Sequence, residues 1–351
     1  MSRSNLPRLS YIDVLKILAT FLIIFLHVSA LYVDMNLRPL DAPALAPYVI
    51  NGYTRIALPM FMMMSGVLLL REQYKFKFAK KFFFILNNYI IWALIFMLGK
   101  QLGCYLSGAP LLTPAQMLVT WIRGPYHFWY LLMLMGFYIL MPVLSKLKDL
   151  QTLTYTLLLV FVLNYILRPF TPYFPECLQY ILSNLTLVTP NNVLFYFLLG
   201  AWIARLPHHQ NLAIISGLAL GLGVSLRAYQ LSHAPTLAGA LAMPFFNDYS
   251  ELLMAGAVLY MLKFICRNYH ASQAVQTLSK HTLRIFIISP LLIFTYDFLL
   301  QDRIDAVFPY YGVTIFLTTV VVFVGTTLIA VILAKKDRRV QALKEKLLHR
   351  D

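Results

Sequence analysis

The chain has 351 residues, 60% of them hydrophobic and 12% charged, and a mean hydropathy of +0.70. So much apolar material cannot be covered by the polar surface of a soluble domain of this length, which excludes a water-soluble protein and implies a polytopic membrane protein. The net charge of +15 would suggest nucleic acid in a soluble protein, but in a membrane protein topology has first claim on it.

The first predicted span, Ile12 to Val33, reads I-D-V-L-K-I-L-A-T-F-L-I-I-F-L-H-V-S-A-L-Y-V. It lacks a small-residue cleavage site, so it is read as a retained span. A pure anchor would carry leucine where this one carries Asp13, Lys16, Thr20 and His27; polar groups inside a span are expensive and tend to mark a site or a buried pair. Lys16 and His27 are eleven residues apart, about three turns plus 20°, so they share one helix face at a separation of about 16 Å. A snorkelling anchor paired with Asp13 would also explain Lys16, and a histidine bonded to a neighbouring helix would explain His27.

Nine further apolar runs follow, at 49–70, 82–99, 127–145, 153–167, 192–206, 211–231, 249–266, 283–300 and 312–334. The fifth and sixth of the ten are short and could be tilted or partly re-entrant. The expected fold is therefore all-α, a single membrane-embedded bundle of about ten transmembrane helices ending in a short basic tail, 335–351. Ten spans put both termini on one side. That side holds 21 of the Lys and Arg residues against seven on the other, with Lys16 left out as intramembrane. By the positive-inside rule both termini are cytoplasmic, and the basic excess needs no nucleic acid. Cys104, Cys177 and Cys266 have no C-x-x-C spacing, so neither a metal site nor a disulfide framework is expected.

Several stretches combine into a pattern. The second span carries T-R-I-A-L-P-M-F-M-M-M-S-G from Thr54 to Gly66, with Arg55, Pro59, Ser65 and Gly66 at fixed intervals. Pro59 frees a backbone carbonyl that a site can use, and Gly66 permits close helix packing. A basic rim, Lys77, Lys80 and Lys81, precedes the third span and suits phosphate or anionic lipid headgroups. The fourth opens Y-H-F-W-Y-L from Tyr126, where the aromatics suit an interfacial belt that does not require His127. The ninth begins L-S-K-H-T-L-R-I-F-I-I-S-P. Glu251 and Asp297 lie near outer span ends; either could orient an imidazolium or bind hydroxyls, and acids at ordinary solvated helix ends would look the same.

From Tyr11 to about Pro290 these motifs resemble, in order, the acyltransferase-3 family of bacterial integral-membrane O-acyltransferases. The resemblance implies transfer of an acyl group, commonly acetyl, from cytoplasmic acyl-CoA to a hydroxyl of a cell-envelope glycan or lipid-linked sugar, in the bacterial plasma membrane. It implies His27 as general base, Lys16 and Lys81 toward the donor phosphates, and Arg55, Ser65, His127 and Glu251 toward the acceptor, with no metal. Membrane lipid and the two substrates are the expected partners. With no soluble catalytic domain appended, the chemistry is expected within the bundle. The chain departs from the pattern at Lys16, where arginine is usual, and at Phe84, Asn88, Arg284, Phe286 and Ser289. Those departures keep open a second class, an exporter of a polysaccharide or lipid-linked intermediate on the same scaffold.

Overall fold

The computed structural model describes residues 7–33, 42–71, 78–167, 173–179, 192–233, 248–301, 303–304 and 310–348. They are helical throughout apart from turns and short links. Eight helices are long and apolar enough to cross a membrane, and Leu150–Ile166 and Val193–Arg205 are shorter apolar helices. Each of the ten apolar runs falls on one of these, so the protein is a polytopic helical membrane protein. The outward surface agrees: Ile214, Ile215, Leu218 and Leu222 on one helix are all more than half exposed, an arrangement suited to lipid rather than water. The chain divides into two compact units, Met1–Arg71 with Asp149–Asp351, and Glu72–Lys148.

In the first unit, α1 (Ser10–Ala30) begins with Asp13 in its first turn, where an acid complements the helix dipole. The following helix breaks at Arg55 and Ile56 into α2 (Ala42–Thr54) and α3 (Ala57–Leu69). Pro59 sits in the first turn of α3, a tolerated place for a residue without an N–H. The carbonyl left open by that missing donor belongs to Arg55, and the Leu58 N–H takes it at 3.2 Å. It is therefore engaged locally.

Helices α7 (Leu150–Phe161), α8 (Val193–Arg205), α9 (Gln210–His233), α10 (Tyr249–Ile265), α11 (Gln273–Leu299) and α12 (Tyr311–Leu348) complete this unit. The tail expected at 335–351 is not a separate segment as far as Leu348, because α12 runs through it. Gly66 and Gly200 set the crossing of α3 and α8. A Cβ on Gly66 would stand 1.7 Å from the Phe197 carbonyl oxygen, and one on Gly200 would stand 2.2 Å from that of Met63. Only glycine fits at either place, and the packing role expected of Gly66 is what it performs. At the end of α8, Arg205 donates to the Leu70 carbonyl at 2.8 Å and the Ala201 carbonyl at 3.2 Å. Lys263 of α10 donates to Ile203 at 3.1 Å and to Leu206. Both cations sit on open carbonyls at helix C-termini, where the dipole favours them.

The second unit consists of α4 (Phe78–Leu106), α5 (Pro114–Arg123), a 3-10 turn (Tyr126–Phe128) and α6 (Trp129–Leu144). A reciprocal capping box between Thr113 and Gln116 starts α5, with Pro114 at its first position. Tyr89 of α4 donates to the carbonyls of Ile122 and Arg123, both at 2.9 Å, and closes the far end of α5.

Candidate active site

Two polar clusters tie α1 into the first unit. At its start, Arg8 clasps both carboxylate oxygens of Asp13, at 2.5 and 3.0 Å, and Ser279 of α11 donates to the same carboxylate at 2.5 Å. Asp13 thus pairs with Arg8 and Ser279. Lys16 is half-buried, and its carbonyl accepts from Thr20 at 2.7 Å. Near the other end of α1, Asn51 of α2 donates to the Leu26 carbonyl at 3.4 Å and to the Ser29 hydroxyl at 3.2 Å. These contacts fix α1 on either side of His27, whose Nε2 is shielded from solvent.

One turn beyond Asn51 the chain reaches Arg55. Although it follows the end of α2, it is only 6% exposed. It lies within electrostatic reach of Glu251, Arg227 and Asp248. Arg227, near the end of α9, has no exposed surface; its Nη2 meets Asp248 Oδ2 at 2.8 Å and Glu251 Oε1 at 3.1 Å. Asp248 is the N-cap of α10, accepting from the Ser250 N–H at 2.7 Å and from Gln230 at 3.1 Å. Glu251 follows in the first turn of α10. The acids stand at a helix N-terminus and Arg227 near a helix C-terminus, so both dipoles favour the arrangement. Tyrosines adjoin it: Tyr165 donates to Tyr196 at 3.1 Å and packs on Tyr249 at 5.6 Å between ring centres.

Two guanidinium groups and two carboxylates are therefore gathered inside the protein with no net charge. Taking such ions from water costs several kcal/mol each, and well-packed apolar residues would often be at least as stable. Their retention in a span region marks a site. The Nε and Nη1 atoms of Arg227 are buried without a hydrogen-bond partner among the described residues. Beside carboxylate, amide and phenol groups, the cluster offers both donors and acceptors, the requirement for holding a hydroxyl-rich molecule.

The other expected site residues separate. Ser65 lies ten residues beyond Arg55, about 15 Å of helix rise away, and its hydroxyl donates to the Phe61 carbonyl at 3.0 Å. Arg55 and Glu251 come together; Ser65 does not join them. Ser289, one of the departures from the family pattern, is buried and donates to the Phe286 carbonyl at 3.1 Å. Lys81 and His127 belong to the second unit. Lys81 is exposed near the start of α4, and Lys77 lies outside the described residues. His127 is 1% exposed, with the rings of Phe128, Phe96 and Tyr126 at 4.8, 5.3 and 5.4 Å. It is part of an aromatic core there rather than an exposed belt. The described residues contain no group of His, Cys, Asp and Glu able to hold a metal ion.

Sequence reasoning missed Arg227 and Asp248. Arg227, inside the predicted span 211–231, was one of the seven basic residues assigned to the outer side, although it is the one charged residue between Arg205 and Asp248. That isolation within an apolar stretch was the available signal.

A histidine-bearing first helix and a buried ionic cluster within a polytopic helical protein define the class, a membrane protein with a polar site inside its span region. Residues 9–335 match the acyltransferase domain of the acyltransferase-3 family, and the chain belongs to that family. It is accordingly a membrane acyltransferase, which requires an acyl donor and an acceptor. No curated protein and no solved structure matches the chain.

Proposed function

We propose that the protein moves an acyl group, acetyl in the simplest case, from acyl-CoA at the cytoplasmic side of a bacterial plasma membrane to a hydroxyl of an envelope glycan or lipid-linked sugar. His27 takes the proton from the acceptor hydroxyl as its oxygen attacks the thioester carbon. The carbon–sulfur bond breaks, and the departing CoA sulfur is protonated. Lys16, on the same face of α1 toward the other end, offsets donor phosphate charge as a point charge. Arg55, Arg227, Asp248 and Glu251 hold the acceptor. The observation that carries this reading is the Asn51 tether: one side chain binds α1 beside His27 and stands one turn from Arg55 in the ionic cluster. Base and acceptor groups are thus held on adjoining, rigidly connected helices.

Substitution of His27 tests the reading. His27→Ala removes the base, whose contribution is about 10²–10⁴ in rate, while a lost interhelical hydrogen bond costs only about 0.6 kcal/mol. His27→Gln keeps hydrogen bonding but cannot accept a proton near neutral pH. Both variants are expected to insert, bind acyl-CoA and transfer nothing. Transfer that persists in His27→Gln but not in His27→Ala would make His27 structural rather than the base.

A further inference from the structure

A cavity of about 430 Å³ lies between α11 and α12, lined by residues that include Leu292, Tyr296, Leu300, Leu317, Val321 and Val322. Its walls are hydrocarbon. The hydroxyls of the lining residues Thr295 and Thr314 donate to their own helices, at the Leu291 carbonyl (2.8 Å) and the Tyr310 carbonyl (3.3 Å). A sugar or a CoA moiety would lose hydrogen bonds on entering such a space, and water gains too few partners to occupy it. Leu317 and Val321 are 53% and 69% exposed, so the space opens sideways, toward lipid when the helices span a membrane. A hydrocarbon chain is the chemistry that fills it.

Its position relates it to the reaction. The Tyr296 hydroxyl, on the cavity wall, shares a 2.6 Å hydrogen bond with that of Tyr32, five residues past His27. Phe316, next to the lining residue Leu317, packs edge-on against Phe25 at 6.2 Å. The cavity therefore adjoins the end of α1 that carries His27. From Leu292 to Leu300 it follows α11 for about 12 Å. Arg303 is exposed and stands in the chain between the lining residues Leu300 and Ile304. Asp297, on the same helix, is not among the lining residues. An apolar trough with a cation at its end complements a hydrocarbon chain that ends in a phosphate.

We propose that the cleft between α11 and α12 seats the tail of a lipid-linked acceptor, with Arg303 meeting the phosphate that joins tail to sugar. This rests on the acyl-transfer reading above and narrows its acceptor to the lipid-linked class. The cleft then does for the acceptor what a surface cannot: it holds the sugar's anchor at a fixed depth beside α1.

The probe is dodecyl phosphate bearing a terminal diazirine, photo-crosslinked to the full chain in phosphatidylglycerol nanodiscs. Labelling is expected on α11 and α12. Leu317→Trp should weaken it by filling the cleft and removing the packing contacts the tail makes there, since lipid offers the displaced chain an equally apolar place. Arg303→Gln should weaken it about fivefold while leaving the uncharged dodecanol analogue unaffected. Equal labelling of wild type and Leu317→Trp, or no labelling in the presence of disc phospholipid, would overturn the proposal. In acyl-transfer assays Leu317→Trp should raise KM for a lipid-linked sugar and spare the same sugar on a short soluble aglycone. Equal loss on both acceptors would make the cleft merely structural. Transfer that survives His27→Gln while labelling of the cleft persists would remove the catalytic reading and leave the lipid site standing.

Discussion

Acid–guanidinium pairing occurs at the start of α1 and again in the interior cluster past Asn51, under very different conditions. At the start of the helix, Arg8 keeps 37% of its side chain exposed while it binds Asp13. In the cluster beyond its other end, Arg227, Asp248 and Glu251 expose 1% or less of their side chains. The first pair has water at hand to screen it and to replace a lost partner, so it acts as a modest fastener. The second has given up its hydration, and each ion depends on the others. One chemistry thus serves as a clasp at a surface and as a charge-balanced site in the interior.

The largest effect is expected in the interior cluster. Arg227→Met leaves two acids facing Arg55 alone, and breaking a buried pair on one side costs about 3–5 kcal/mol. Adding Glu251→Gln restores one cation against one anion, so the double variant should be more stable than Arg227→Met. Thermal unfolding in detergent measures the order. Neither variant is expected to transfer acyl groups. An active double variant would show the cluster to be structural, and equal instability of the two would show that the acids do not depend on Arg227.

At the clasp the same kind of change should be mild. Asp13→Asn removes the ion pair but keeps an acceptor for Ser279, and pairs with one partner this exposed are worth about 0.2–1 kcal/mol. The loss should shrink further in salt, over a screening length of about 8 Å at physiological ionic strength. Acyl transfer should persist, because His27 is separately held through Asn51. A loss of stability as large as that of Arg227→Met would erase the distinction between the two pairings.

The fold was legible where a property is carried by composition. Ten apolar runs became ten helices, because the need for internally bonded backbone in lipid leaves few other solutions. The site was legible only in pieces. His27, Arg55 and Glu251 stood out as polar groups in or near spans, and the sequence motifs named their family. Glu251 meets Arg227, 24 residues before it in the chain, and lies within electrostatic reach of Arg55, 196 residues before it, and pairing over such distances leaves no local periodicity. Asp248 was equally hidden, since a capping acid before an apolar run reads as an ordinary helix start. A departure from the family pattern also reads differently in three dimensions: Ser289 is a buried hydroxyl bonded to its own helix, so it leaves no unsatisfied donor there.

The smallest effect completes the series from buried to exposed acids. Asp149 caps α7 as Asp248 caps α10, accepting from the backbone N–H and the hydroxyl of Thr152, both at 2.8 Å. Unlike Asp248 it lies at the surface. The backbone hydrogen bond from Thr152 and then its hydroxyl hold the Asp149 carboxyl below its ordinary value. Because the folded-state value is the lower one, the cap contributes fully above the ordinary carboxylate range and is lost as pH falls through the depressed value. Asp149→Ala should therefore destabilise the protein slightly at neutral pH, and the gap to wild type should close on acidification. Asp149→Ser keeps a capping oxygen that does not titrate, so its small deficit should not follow the same pH course. Unfolding of the three proteins between neutral pH and the acid limit of solubility measures both trends. A gap that is as large at acid pH as at neutral pH would mean that Asp149 acts through shape rather than charge, and that the gradation with burial does not extend to the surface.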